Sequence, residues 1–196
     1  MAVVAIQPSG QAGLLLVALL FIPPRPPAPD PAAHIADIRR KLASTRGVDL
    51  TARRALDYSQ GFLSSAEQEL RLGHGFRADR MAGAADSLLH VAEHQEHLRG
   101  GGPAPAGPPV PPPAAIKEHL QRVYFRVQQA EYFLKQARDG RTASFPKWAR
   151  DFYQLAVRAY ERRDWIAADE NAKCAEEIVK ALEELAQAAT VPKPPL

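Results

Sequence analysis

A single cysteine among 196 residues, Cys174, leaves no second thiol to pair with, so no intramolecular disulfide braces this fold. The chain has no glycine-rich phosphate loop, no G-x-S-x-G elbow and no H-E-x-x-H pair, the common signatures of nucleotide binding, serine hydrolysis and zinc peptidases. Its carboxylates fall on the solvent sides of amphipathic patterns, with no isolated pair in an apolar setting to tune a general acid. No catalytic residue, no enzymatic activity and no cofactor are therefore expected. Charge of one sign is also missing. Residues 35–99 hold ten Lys or Arg against nine Asp or Glu, and residues 114–196 hold fourteen against twelve. A formal net charge of +3 spread this evenly commits no face to phosphate, so nucleic acid is not an expected partner.

Long apolar runs are absent too. The longest, GLLLVALLFI at 13–22, has ten residues, whereas a bilayer span needs about twenty. Ten is the length of a signal-peptide core, although no Lys or Arg precedes it, Arg25 being the first, and no clean A-x-A site follows. Export to the periplasm or cell envelope is the leading expectation. An uncleaved N-terminal segment, the one expected route to a membrane, and a cytoplasmic chain with an apolar tail are the alternatives.

Proline is what the chain has in excess, eighteen residues concentrated in two runs and a tail. PPRPPAPDP at 23–31 reads as an extended spacer, and GGGPAPAGPPVPPP at 100–113 as a linker. The expected organisation is a signal-like segment and spacer at 1–31, a helical unit at 32–99, the linker at 100–113, a second helical unit at 114–190 and a tail at 191–196.

Between the proline runs the apolar period is helical throughout. Residues 164–189 carry two neighbouring seams, Ala168, Ala172, Ala175, Val179, Leu182, Ala186 and Cys174, Ile178, Ala181, Leu185, Ala188. A helix apolar on two seams must touch at least two others, which makes this stretch the inner element of a bundle. Asp164 is placed to cap it. Cys174, on one of its seams, reads as a small buried hydrophobe rather than a reactive thiol. Similar patterns predict helices over 35–45, from Asp49 to about Leu72, over 76–98, from Ala114 to the Asp139-Gly140 pair, and from Ser144-Phe145-Pro146 to about Arg163. Residues 138–163 hold seven basic and three acidic side chains and residues 164–184 seven acidic and two basic, so these two helices are expected to pair with complementary rims. The fold class is all-α, an antiparallel arrangement of helical hairpins. Sliding the chain on itself by 90 residues lays Ala78, Ala82, Ala85, Leu89 and Ala92 on Ala168, Ala172, Ala175, Val179 and Leu182, the pattern expected of an internal repeat of two related units.

Residues 155–172, LAVRAYERRDWIAADENA, resemble a tetratricopeptide-type hairpin. Small residues stand where the helices would cross, Tyr160 supplies an aromatic, and a short polar turn leads to Trp165 and alanines. The chain lacks that family's 34-residue period. The resemblance implies a protein-binding or assembly scaffold. A second likeness, carried by EIVKAL at 177–182 after alanines, is to the HEPN helical domains. The nucleases of that family have an Arg followed by His after four to six residues, and none of the six histidines here has an arginine at that distance.

Two surfaces stand out as candidate sites. His90, Glu93, His94 and His97 lie at i, i+3, i+4 and i+7, on one helical face, and paired imidazoles at i, i+4 can chelate zinc, copper or nickel. The competing reading is a solvated face, because the residues 90 positions on are Lys180, Glu183, Glu184 and Gln187. Ten of the fourteen aromatic residues lie in 124–165. Tyr124, Phe125, Tyr132, Phe133, Trp148 and Tyr153 among them are candidates to bind a protein partner through an apolar groove, the alternative being packing on neighbouring helices. The function expected is a non-enzymatic helical scaffold that binds another protein in the bacterial cell envelope; the alternative is a helical metal-binding or metal-sensing protein using the histidine face.

Overall fold

A computed structural model describes residues 30–100 and 111–190; the apolar segment at 13–22, the tail at 191–196 and most of the two proline runs lie outside the described residues. Six α-helices occupy nearly all of that range, with no strand among the described residues. Helix α1, Pro31–Ser44, starts four residues before its apolar period does. Asp30 accepts a hydrogen bond from the Ala32 N–H at 3.0 Å, and Pro31 supplies a fixed φ at the first position. Helix α2, Leu50–Arg71, begins at Asp49, whose carboxylate accepts from the Ala52 N–H at 2.7 Å, as expected. Helix α3 is Gly75–Leu98 and helix α4 is Pro113–Ala137. Arg138, with φ 52°, closes α4, and a single 3-10 turn, Gly140–Thr142, leads to helix α5, Phe145–Glu161. Helix α6, Trp165–Thr190, is capped by Asp164, which accepts from the Ala167 N–H at 3.1 Å.

Ser144, whose position before Phe145-Pro146 suits a helix cap, does not act as one: it stands before α5 but makes no side-chain capping bond. Its hydroxyl instead accepts from Arg54 of α2 at 2.7 Å.

The turns between α2 and α3 and between α5 and α6 have the same geometry. In the first, the Gly73 and His74 N–H groups donate to Leu70 and Glu69 carbonyls at 2.9 and 2.9 Å; in the second, Arg163 and Asp164 donate to Tyr160 and Ala159 at 3.0 and 2.9 Å. Both require a left-handed residue, φ 80° at Gly73 and 61° at Arg163. Glycine meets that requirement freely, whereas arginine accepts a steric cost of about 1 kcal/mol.

Helices α3 and α6 are the two inner elements, and they pack along each other. Helix α3 also touches α1 and α2, and α6 also touches α4 and α5, so α6 contacts three neighbours. Both inner helices bury small side chains, Ala78, Ala82, Ala84, Ala85 and Ala92 on α3 and Ala168, Ala172, Cys174, Ala175 and Ala181 on α6. Small residues let backbones approach closely, at the cost of less apolar area per contact. The bulk is supplied elsewhere, by a cluster that links the first three helices to the last three. Phe145 of α5 is fully buried; its ring meets Tyr58 of α2 edge-on at 4.9 Å, Phe62 of α2 at 6.4 Å and Trp148 at 5.8 Å. Two guanidiniums cover the cluster, Arg54 at 5.1 Å over Trp148 and Arg141 at 4.4 Å over Phe62.

The complementary rims expected between α5 and α6 do not form ion pairs among the described residues. The carboxylates of α6 turn to α3 and α4 instead: Glu184 to Arg80, Glu170 to His94, Glu183 to Arg126, and Asp169 with Glu176 to His119. Among the described residues no helix is long and apolar enough to cross a membrane.

Candidate functional site

The α3–α6 seam carries three of the six histidines, His90, His94 and His97. Because α3 rises past α6 with its alanine face inward, residues flanking that face are held beside the acidic flank of α6. His94 and His97 both reach Glu170, Nδ1 to Oε2, at 2.7 and 3.6 Å, and the donor atoms of the three lie within 4.8 Å of one another. Lys173 holds the other Glu170 oxygen at 2.9 Å. Burial would raise the Glu170 carboxyl, but hydrogen bonds from His94 and Lys173 and their charges outweigh it and hold it down at about 2. His90 lies further along, 3.9 Å from Glu93 and 3.9 Å from Glu177, and the Glu177 carboxylate raises it above the ordinary histidine value.

The four histidine-face residues are thus divided. His94 and His97 converge, while His90 and Glu93 form a separate loose pair. Only His97 is open to water, at 52% side-chain exposure. The face is a seam rather than a freely solvated surface. Glu170 and Lys173, which complete the cluster, carry no periodic signal of their own; only knowledge that α6 lies beside α3 brings them in.

The opposite end of the seam is built differently. Arg80 of α3 places Nη1 3.0 Å from Glu184 and 3.3 Å from the Gln187 side-chain amide oxygen, Oε1, and Nη2 2.6 Å from Asp79. Shifted by 90 residues, Arg80, Glu184 and Gln187 fall on Glu170, His94 and His97. The same three seam positions therefore hold a permanent cation at one end and titratable imidazoles at the other.

A second recurring contact lies outside the seam. His34 of α1 meets Asp79 of α3 at 3.0 Å, and His119 of α4 meets Asp169 of α6 at 3.1 Å. His119 has an additional partner, Glu176, at 3.1 Å from Nε2. Hydrogen bonds to Asp169 and Glu176 outweigh burial and raise His119 to about 9. In the first half the position of Glu176 is taken by Asp86, which is occupied by Lys41 at 3.2 Å.

Cys174 sits on the seam where expected, fully buried, accepting from Gln95 at 3.3 Å and donating to the Val91 carbonyl at 3.9 Å. Burial pushes its thiol up to about 12, the Gln95 hydrogen bond opposing only weakly. A disulfide reagent is expected to leave native protein unlabelled and to titrate one thiol in denaturant. Rapid labelling without denaturant would show that α3 and α6 separate readily.

The aromatic candidates also divide. Trp148 is buried among Phe145, Phe152 and Tyr58 and belongs to the core, not to a binding surface; its covering partner, α2, lies in the other half of the chain. Phe133 packs partly against the core and Tyr153 is half-buried, 5.8 Å from Tyr124. Phe125 and Tyr132 remain, 66% and 60% exposed and seven residues apart on one stripe of α4, with the exposed Tyr124 ring 5.6 Å from Phe125. Exposed Gln128 and Gln129 lie between the two rings.

Compared with family models, curated proteins and solved structures, the chain matches none.

Proposed function

We propose that the protein is a non-enzymatic all-α scaffold that binds another protein in the bacterial cell envelope, using α4. The observation that carries this reading is the stripe of Phe125 and Tyr132, two large rings standing more than half exposed on a helix whose other face is fully packed. Rings of this kind, separated by two helical turns and spaced by amides, suit an apolar stripe on a partner helix or an extended peptide. The tetratricopeptide-like hairpin at 155–172 supports a scaffold role, and the signal-like segment at 13–22 supports export. We infer as well that the chain arose by internal duplication; the paired turns at Gly73 and Arg163 and the paired His34–Asp79 and His119–Asp169 contacts support it.

A photo-crosslinking phenylalanine analogue at position 125 or 132, expressed in native cells, is expected to give one discrete higher-mass adduct in the envelope fraction. The same analogue at exposed Arg53 on α2 should give none. Phe125→Ser with Tyr132→Ser should reduce formation of that complex at least tenfold while moving the unfolding midpoint little, because exposed side chains contribute about 0.5 kcal/mol or less. Equal crosslinking at 53 and 132, or none at either, would overturn the assignment of this surface.

A further inference from the structure

Independently of the protein-binding reading, we propose that His94, His97 and Glu170 form a site for a divalent transition metal of the zinc class, clasping α3 to α6. The donor set is two imidazoles and one carboxylate, the nitrogen and oxygen ligands such ions take, and it leaves a fourth position for water. Tetrahedral bonds of about 2.1 Å need donors about 3.4 Å apart. The present separations of 2.7 Å for His94 to Glu170 and 3.6 Å for His97 to Glu170 bracket that value. The three donor atoms lie within 4.8 Å of one another, so closing the site means opening the His94–Glu170 contact by several tenths of an ångström and turning the half-exposed His97 ring inward.

The surroundings favour an ion over an accidental cluster. Lys173 holds Glu170 Oε1 at 2.9 Å and Asp169 at 2.7 Å, which orients the carboxylate and leaves Oε2 for the histidines. Its charge is offset by Asp169, so with neutral imidazoles the locality is net negative. The far end of the seam supplies the comparison. There the corresponding positions are satisfied internally by Arg80, whose charge neither leaves nor exchanges. At the His94 end the protein has put the carboxylate on α6 and left the cation to be supplied by protonation or by an ion. Metal bound here would join the two halves of the chain at the seam.

The test is a titration of the full chain with Zn(II), followed by thermal unfolding and, with Co(II), by visible absorption. At a hundredfold excess over Kd the midpoint should rise by about 5 °C or more, and Co(II) should show the intense bands of tetrahedral nitrogen and oxygen ligation. Mg(II) should do neither. His97→Gln, an exposed change that leaves the metal-free midpoint nearly unmoved, should abolish both signals, and His90→Gln should abolish neither. Absence of a Zn(II) shift in the parent protein, or its persistence in His97→Gln, would overturn the site.

Discussion

Phe145→Ala is expected to cost about 3–5 kcal/mol and to lower the unfolding midpoint by about 10 °C or more, the largest effect of any single substitution considered. The ring is fully buried and contacts Tyr58, Phe62 and Trp148, so truncation removes apolar area and also leaves a cavity bounded by three other rings. Tyr58 and Phe62 come from α2, and so the loss falls on the junction between the first three helices and the last three. Unfolding followed by circular dichroism in urea should therefore show one transition shifted to lower denaturant. Two separated transitions, only one of them moved, would show that the halves melt independently and that the aromatic cluster does not couple them. Phe145→Leu keeps most of the volume and should cost about 1.5 kcal/mol.

Raising the pH from 6.5 to 9.5 is expected to cost about 3 kcal/mol of stability through His119 alone. Its folded pKa of about 9 lies above the unfolded value of 6.5. The contribution is thus fully present below about 6.5 and disappears as pH rises through about 9. The cause is geometric: Asp169 and Glu176 hold both ring nitrogens at 3.1 Å, and loss of the proton removes the cation between two carboxylates. His119→Gln should flatten the pH profile in that window and lower stability at pH 6 by about 2–3 kcal/mol, measured by urea titration at each pH. A parent profile flat between 6.5 and 9.5 would refute the arrangement. On the acid side Glu170 acts with the opposite sign. Its carboxyl is held at about 2, below its ordinary 4.5, so its contribution is present above 4.5 and disappears as pH falls through 2.

Much of the helical order was legible because helix ends are local events. Asp49 and Asp164 act within one turn of themselves, whereas Pro113, which reads as part of the linker, is in fact the first residue of α4. The α1 start was misplaced for the converse reason: Asp30-Pro31 looked like the end of a proline spacer, while its cap and fixed φ make it a helix start. The double seam of α6 correctly announced an inner helix, since two apolar faces need two covers. Which helices cover it was not written in any period. Alanine against alanine carries little shape information, so the α3–α6 pairing was invisible. With it went the proper reading of the histidine face and the role of Glu170. Likewise the burial of Trp148 has no local signal, because its cover, Tyr58, comes from the opposite side of the linker. The pairing of α5 with α6 holds, but their charge difference does not become ion pairs, because a helix flank does not say which of two neighbours it will meet.

The α3–α6 seam also bears on assembly. Contacts that exchange under one register shift, Arg80 to Glu184 at one end and Glu170 to His94 at the other, are the arrangement of an isologous dimer interface, where one patch meets its own counterpart. Here both counterparts belong to one polypeptide. Association that between separate subunits would depend on concentration is thereby made unimolecular, at an effective concentration in the millimolar range. Under the internal duplication inferred above, the two inner helices would be free to diverge, one end fixed by arginine and the other given to histidine, because neither would have to remain compatible with a copy of itself.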